Sequence, residues 1–290
     1  MDSLALFGLL WAILRISVPY VMAALGGTVC ERAGVINIAL EGILLVAALG
    51  TALGAPYGAA TALVCGLTAG VVTSLLYGLL VVVFRGDQIV CGVAIFMLAD
   101  GLSRVLLKVV FGSTSNSPRL DALVGSGPLW LLGAMFASVI LLHGLFHHSV
   151  LGLRLRAVGD KPAAAQALSV SVLSVRMWAV ALSGLLTAIG GVYLVFEQRQ
   201  FVALMSGGRG FLALAAMIFG GWRPVWGAAA ALLFATAEAT GIFLQARGLL
   251  IPNWILQSVP YVLTLLTLML RGLLGKNHST APLSLGVPRL

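Results

Sequence analysis

From one end of this chain to the other, apolar runs recur that are close to the roughly 20 residues needed to cross the hydrocarbon of a bilayer. They fall at about 4–25, 26–50, 59–84, 89–111, 129–147, 177–196, 203–224, 225–244 and 253–270, and the charge is gathered mainly in the short segments between them. Backbone N–H and C=O groups facing lipid must be paired within the chain, so segments of this kind form helices. Composition agrees: 60% of the 290 residues are hydrophobic and 9% charged, against about 25% charged in soluble domains, and the mean hydropathy is +1.09. The expectation is an all-α, polytopic membrane protein of about nine crossings, broken or half helices included, forming one integral domain over 1–290. The formal net charge of +8 is spread among loops, which fits anionic lipid headgroups and not nucleic acid.

The longest polar interruption is 149–176, SVLGLRLRAVGDKPAAAQALSVSVLSVR, with Arg154, Arg156, Lys161 and Arg176 against the single acid Asp160. Short loops rich in Lys and Arg stay in the cytoplasm. The same rule holds the tail 271–290, with Arg271, Lys276 and Arg289, inside. Asp2 and the lack of early Lys or Arg favour an external N-terminus, and MDSLALFG has no positive leader region, so the first run is expected to persist. Within the loop, the residues after Gly159 are expected to form a short helix with Asp160 as N-cap and Pro162 in the first turn, where its missing N–H costs nothing. Such a rod lying on the membrane surface suits the transmission of a push from a soluble partner; a solvated connector that only fixes orientation is the alternative.

Polar residues inside apolar runs mark pathways or helix contacts. Arg15 lies beside Pro19 and faces protein, a wet cavity or the carbonyls that proline frees. Asn37 and Glu41, four apart, are expected on one helical face. Asp100, Arg104 and Lys108 follow at four-residue steps and favour a structural ion pair, and Gly66 and Gly70 form a helix-packing pair. The run 203–224 is short and bounded by glycines, as discontinuous transporter helices are. It also echoes an earlier stretch: Ala24 onward and Ala188 onward both give a small residue, two glycines, a charged turn and a glycine-entered apolar segment.

Catalytic and cofactor chemistry finds no support. There is no phosphate-loop motif, no H-E-x-x-H and no G-x-S-x-G. Gly208, Gly210 and Ala213 match a dinucleotide pattern without any strand before them. Cys30, Cys65 and Cys91 form no metal spacing, and His143 and His147 have no third ligand nearby.

Five stretches carry a family likeness: GVINIALEG at 34–42, GDQIVCGVA at 86–94, LGLRLRAVGDKPAAAQALSVSV at 151–172, GGRGFLALAAMIFGGWRP at 207–224, and the region IPNWILQSVPYVLTLL from Ile251. Together they resemble the permease subunits of bacterial ABC importers, in the nucleoside and simple-sugar branch related to ribose and branched-chain amino acid permeases. The resemblance implies a multi-pass protein of the bacterial plasma membrane that binds no cofactor itself. It implies a second homologous permease, a cytoplasmic ATPase that carries ATP and Mg, and an extracytoplasmic binding lipoprotein. It places Asn37, Glu41, Gln88 and Phe211 along the translocation pathway, and it gives Arg154, Arg156, Gly159, Asp160, Lys161 and Pro162 the role of coupling to the ATPase. Ala39 stands where the family has glycine, and Asp100 where it has an apolar residue. The alternative is an ion-coupled secondary transporter using Asp100, Glu41, Glu197 and Glu238; a passive channel is a third possibility.

Overall fold

The computed structural model describes residues 3–123 and 129–246, isolated positions between 258 and 269, and residues 281–286. Its helices are α1 (Ser3–Arg32), α2 (Leu40–Gly54), α3 (Ala59–Gly78), α4 (Gln88–Phe111), α5 (Leu129–His148), α6 (Val150–Asp160), α7 (Pro162–Ala167), α8 (Val172–Gln198), α9 (Arg209–Phe219) and α10 (Pro224–Ala246). Local chemistry sets several starts. Asp87 accepts the N–H groups of Ile89 and Val90, both at 2.9 Å, to open α4, and Ser149 accepts the N–H of Gly152 at 3.0 Å to open α6.

Among the described residues, seven helices are long and apolar enough to span a membrane: α1, α2, α3, α4, α5, α8 and α10. The helix α9 has 11 residues, hence about 16 Å of rise, half of a hydrocarbon core. The expected run at 203–224 is therefore a half helix and does not cross, and the run at 253–270 lies almost wholly outside the described residues. Nine crossings reduce to seven spans and one half helix over the part described.

At the centre, α1, α2 and α8 pack together with α3, α9 and α10 around them, while α4 and α5 lie at the periphery with one face each covered. Small residues allow the close approaches. Gly66 and Gly70 of α3 sit against Thr51, Val192 and Ala188, as their spacing predicts, and Gly26 of α1 sits against Ser183 and Thr187 of α8. The first helix continues through Pro19 and the glycine pair to Arg32, further than the expected end near 25.

Two further expectations are corrected. Asn37 does not share a helical face with Glu41, because the chain leaves the helix after Arg32, passes Gly34 at φ 85°, and becomes helical again only at Leu40. Asp160 is not an N-cap: it is the last residue of α6, and α7 starts after Lys161 with Pro162 in its first turn and no side-chain cap. The amphipathic sequence before Gly159, with Leu155 and Val158 buried and Arg154 exposed, extends the helix backward, so the surface rod is two short helices and not one after the turn. Arg176, counted with the loop, is buried in α8 and donates from Nε to the carbonyl of Ala33 at 3.3 Å.

Candidate functional site

Two stretches of irregular backbone run into the middle of the bundle, which is tolerable only if their polar groups are paired by protein. In the first, 33–39, the N–H of Ile36 donates to Gln88 Oε1 at 2.7 Å, and the carbonyl of Ile36 accepts the hydroxyl of Tyr77. The side chain of Asn37 is fully buried and donates from Nδ2 to Ser183 Oγ at 2.9 Å, while its Oδ1 has no partner among the described residues. The second stretch, 199–208, is paired with the segment after α4. Ser117 N–H donates to the carbonyl of Phe201 at 2.9 Å, Ala203 N–H to the carbonyl of Ser115 at 2.7 Å, and Leu120 N–H to the carbonyl of Arg199 at 2.9 Å.

Each stretch ends by starting a helix, and the two starts meet. Glu41, in the first turn of α2 and 2% exposed, accepts the N–H of Gly208 on Oε1 at 2.7 Å and the N–H of Gly210 on Oε2 at 2.6 Å. One carboxylate thus caps α9 from another helix, where the positive end of the peptide dipoles favours its charge. Gly208 has φ 81°. At Gly210 a side chain would collide, since a Cβ would lie 2.5 Å from the backbone nitrogen of Glu41.

Around this junction the charges are matched. Arg209 pairs with Glu238 and donates to the carbonyl of Met205 at 2.9 Å, and Tyr20 donates its hydroxyl to Glu238 at 2.7 Å. Arg15 pairs with Glu197 and, with its side chain 42% exposed, also faces the adjoining cavity, so that two of the three expected surroundings apply. These groups border a cavity of about 270 Å³ lined by Arg15, Pro19, Tyr193, Glu197 and Arg209, with Glu197 at the C-terminal end of α8. Tyr20 lies 12 residues before Arg32 on α1, so the junction sits about 18 Å from the α6 end, near the middle of a bilayer. Phe211, the residue after the capped glycine, is partly exposed and meets the ring of Phe96 edge-on, centroids 5.6 Å apart. Phe96 belongs to the part of α4 that backs onto Gly42.

The structure therefore gathers all four sequence-proposed pathway residues into this region, in two groups. Glu41 and Phe211 are at the junction itself, and Asn37 and Gln88 hold the irregular stretch that leads to it. Tyr77, Tyr20 and Arg209 were not singled out from sequence; a tyrosine in an apolar run gives no signal until its partner is known. Asp100 bonds Arg104 at 3.1 Å, as the four-residue step predicts. His147 stacks on His143 and contacts its carbonyl at 2.9 Å, and no metal-binding cluster occurs among the described residues.

The six loop residues lie at the other end of α1. Arg154, Asp160 and Lys161 are exposed, Arg156 and Pro162 half-buried. Gly159 is buried so close to the Arg32 carbonyl that a Cβ would overlap it, and its own carbonyl accepts the N–H of Ser284 at 2.9 Å. The base of the two-helix unit is thereby fixed to the end of α1, immediately before the irregular stretch 33–39.

A family model described as the permease component of branched-chain amino acid transport systems matches residues 9–269. The chain is 34% identical to a guanosine ABC transporter permease protein of Bacillus subtilis, over 96% of this chain and 94% of that one. It is 31% identical to a nucleoside ABC transporter permease protein of Lactococcus lactis, over 93% of each. A putative glucose ABC transporter permease protein of Haloferax volcanii is 30% identical, over 89% of this chain and 85% of its own length. No solved structure gives a significant match.

Proposed function

Because this chain belongs to the permease-component family of branched-chain amino acid transport systems, a family of multi-pass membrane subunits that are not themselves enzymes, we propose that it forms part of the path by which an ATP-binding cassette importer carries nucleosides. The observation that carries the proposal is the capped junction at Glu41. Two helices start near mid-membrane, and there the N–H groups of Gly208 and Gly210, the buried carboxylate that accepts them and an edge-on aromatic pair converge. Transporters place polar solutes beside helix starts at mid-depth. The exposed face of Phe211 suits a base, since stacking on an aromatic ring stabilises by about 1–3 kcal/mol, and relatives of two organisms are named for guanosine and nucleoside transport. A simple sugar is the second reading, favoured by the relative named for glucose.

In this reading the basic α6 end is cytoplasmic, the cavity beside Arg15 and Arg209 opens outward, and an ATPase bearing ATP and Mg docks on the exposed Arg154, Asp160 and Lys161. Gly159, Pro162 and Arg156 shape the unit that receives the push. Motion passes from Gly159 to the end of α1, then through 33–39 to Glu41. The second permease covers the exposed face of α4, and a binding lipoprotein delivers the solute. Ion coupling is less well supported by the site: Glu197 and Glu238 are each paired with arginine, Asp100 with Arg104, and Glu41 with two N–H groups, so each of the four carboxylates named for that reading already has a partner.

The test is uptake in cells lacking the native gene and carrying the whole transporter. Labelled guanosine should accumulate with the wild-type chain and fall to background with Phe211→Ala. Accumulation of labelled glucose with no guanosine uptake would select the sugar reading.

A further inference from the structure

A second polar cavity, of about 320 Å³, lies where the ends of α1 and α5 meet α6 and the α9–α10 turn. Arg32, Arg156, Arg223 and His147 line it over an apolar floor that includes Phe146 and Pro224. No carboxylate lines it, and none of the three guanidiniums forms an ion pair among the described residues. Among the charges around Arg32, Asp160 attracts it most and Arg156 and Arg223 repel it; Arg32 and Asp160 both border the neighbouring groove on the other side of α6, with Lys161, while Asp160 does not line this cavity. The nearby Glu31 is turned away and accepts the indole N–H of Trp222 at 2.6 Å.

Two of the cations are held in place by neutral acceptors. Arg32 donates from Nε to the carbonyl of Trp222 at 2.8 Å and from Nη2 to that of Gly221 at 3.3 Å, and Arg156 donates to the carbonyl of Gly152 at 3.4 Å. The start of the 23-residue α10 at Pro224 adds the positive end of a helix. Like charges gathered at fixed positions, with donors left over and no anion, make a site for an oxyanion. The surroundings indicate its source. Val225 and Trp226 are exposed beside Arg223, and a tryptophan at the end of a spanning helix belongs at the headgroup level. The cavity has the volume of roughly ten waters, more than a lone ion needs.

We propose that this cavity binds the phosphate of an anionic phospholipid, with Arg32, Arg156 and Arg223 around the phosphate and Trp226 against the acyl region. Basic pockets between spanning helices on the cytoplasmic side take such headgroups. The site depends on the membrane reading of the chain and not on which solute is carried.

The test uses the complete transporter purified in detergent, delipidated, and titrated with phosphatidylglycerol or phosphatidylcholine, with retention read by native mass spectrometry. Phosphatidylglycerol should be retained in preference, one per copy of this chain. It should weaken about fivefold in Arg223→Gln and about 25-fold in Arg223→Gln with Arg156→Gln, at about 1 kcal/mol per arginine. Arg223→Lys should keep binding near wild type. Arg223 is exposed, so its variants are expected to fold, and gel filtration identifies any that do not. Equal retention of phosphatidylcholine, or unchanged binding in the double variant, overturns the proposal. Displacement by millimolar inorganic phosphate would make it a site for the free ion, and retention of the lipid only after the ATPase has been stripped from the transporter would give the cavity to an acidic group of that partner; each of these also overturns it.

Discussion

Glu41 is the residue on which two helices depend. Its two oxygens each take an N–H of α9 while its backbone lies in α2. Glu41→Gln keeps one acceptor and turns an amide N–H₂ towards an N–H, so it should lower stability by about 1–3 kcal/mol and strongly reduce uptake, with insertion retained. Thermal unfolding in detergent and labelled-solute uptake measure the two effects; a variant with wild-type values in both would remove Glu41 from the mechanism. Gly210→Ala should cost about 1–3 kcal/mol by overpacking, because its Cβ meets the backbone of Glu41 and not a movable side chain. The sequence shows Glu41 as an acid in an apolar run, which already marks it. Its partners lie 167 and 169 residues away, and nothing local in the sequence connects them.

At the level of elements, the stretch 33–39 stays irregular inside the protein because Gln88 and Tyr77 pair with the backbone of Ile36, Arg176 with the carbonyl of Ala33, and Ser183 with the Asn37 amide nitrogen. Tyr77→Phe deprives the Ile36 carbonyl of its side-chain donor at a cost of about 1–3 kcal/mol. Hydrogen exchange should therefore accelerate in 33–39 and remain unchanged in α10; uniform acceleration would mean a general loss of packing. The two-helix unit α6–α7 calls for a different experiment. Substitution of Gly159 disrupts its contact with Arg32 before any partner is involved, so the exposed Arg154 and Lys161 are the cleaner probes of coupling. Arg154→Glu with Lys161→Glu should leave the membrane level of the protein unchanged and reduce uptake at least tenfold, the loss of about two interfacial charge contacts. Full uptake in that variant would sink the coupling role. The basic loop was visible in the sequence as a charge excess, whereas its division into two helices depends on Leu155, Val158 and Gly159 finding a buried surface.

For the whole molecule, matched charge inside the bundle bears on how transport is driven. Arg15 with Glu197 and Arg209 with Glu238 tie α1 to α8 and α9 to α10, and a carboxylate neutralised by a neighbouring guanidinium is poorly suited to take up and release a cation. Uptake by the assembled transporter should persist when proton and sodium gradients are collapsed and stop when ATP is depleted; the opposite pattern would favour ion coupling. The same bundle sorts its segments between two ends. The C-terminal end of α1, the two-helix unit, the α9–α10 turn and residues 281–286 share one end, and Tyr57 lies one helix, α2, away. A cysteine at Lys161 should react with impermeant reagent only from the cytoplasm and one at Tyr57 only from outside.

By itself the sequence determined the class and the family: apolar runs of membrane length admit only helices, and scattered glycines and polar residues mark where those helices touch. It also located the acid, the amides and the basic loop, because each is costly or conspicuous against an apolar background. Only the tertiary structure decided which helices are broken and what those breaks meet. A helix stops inside a membrane only where other segments satisfy its backbone, and those segments, Gln88 and Tyr77 for 33–39 and Glu41 for α9, are far away along the chain.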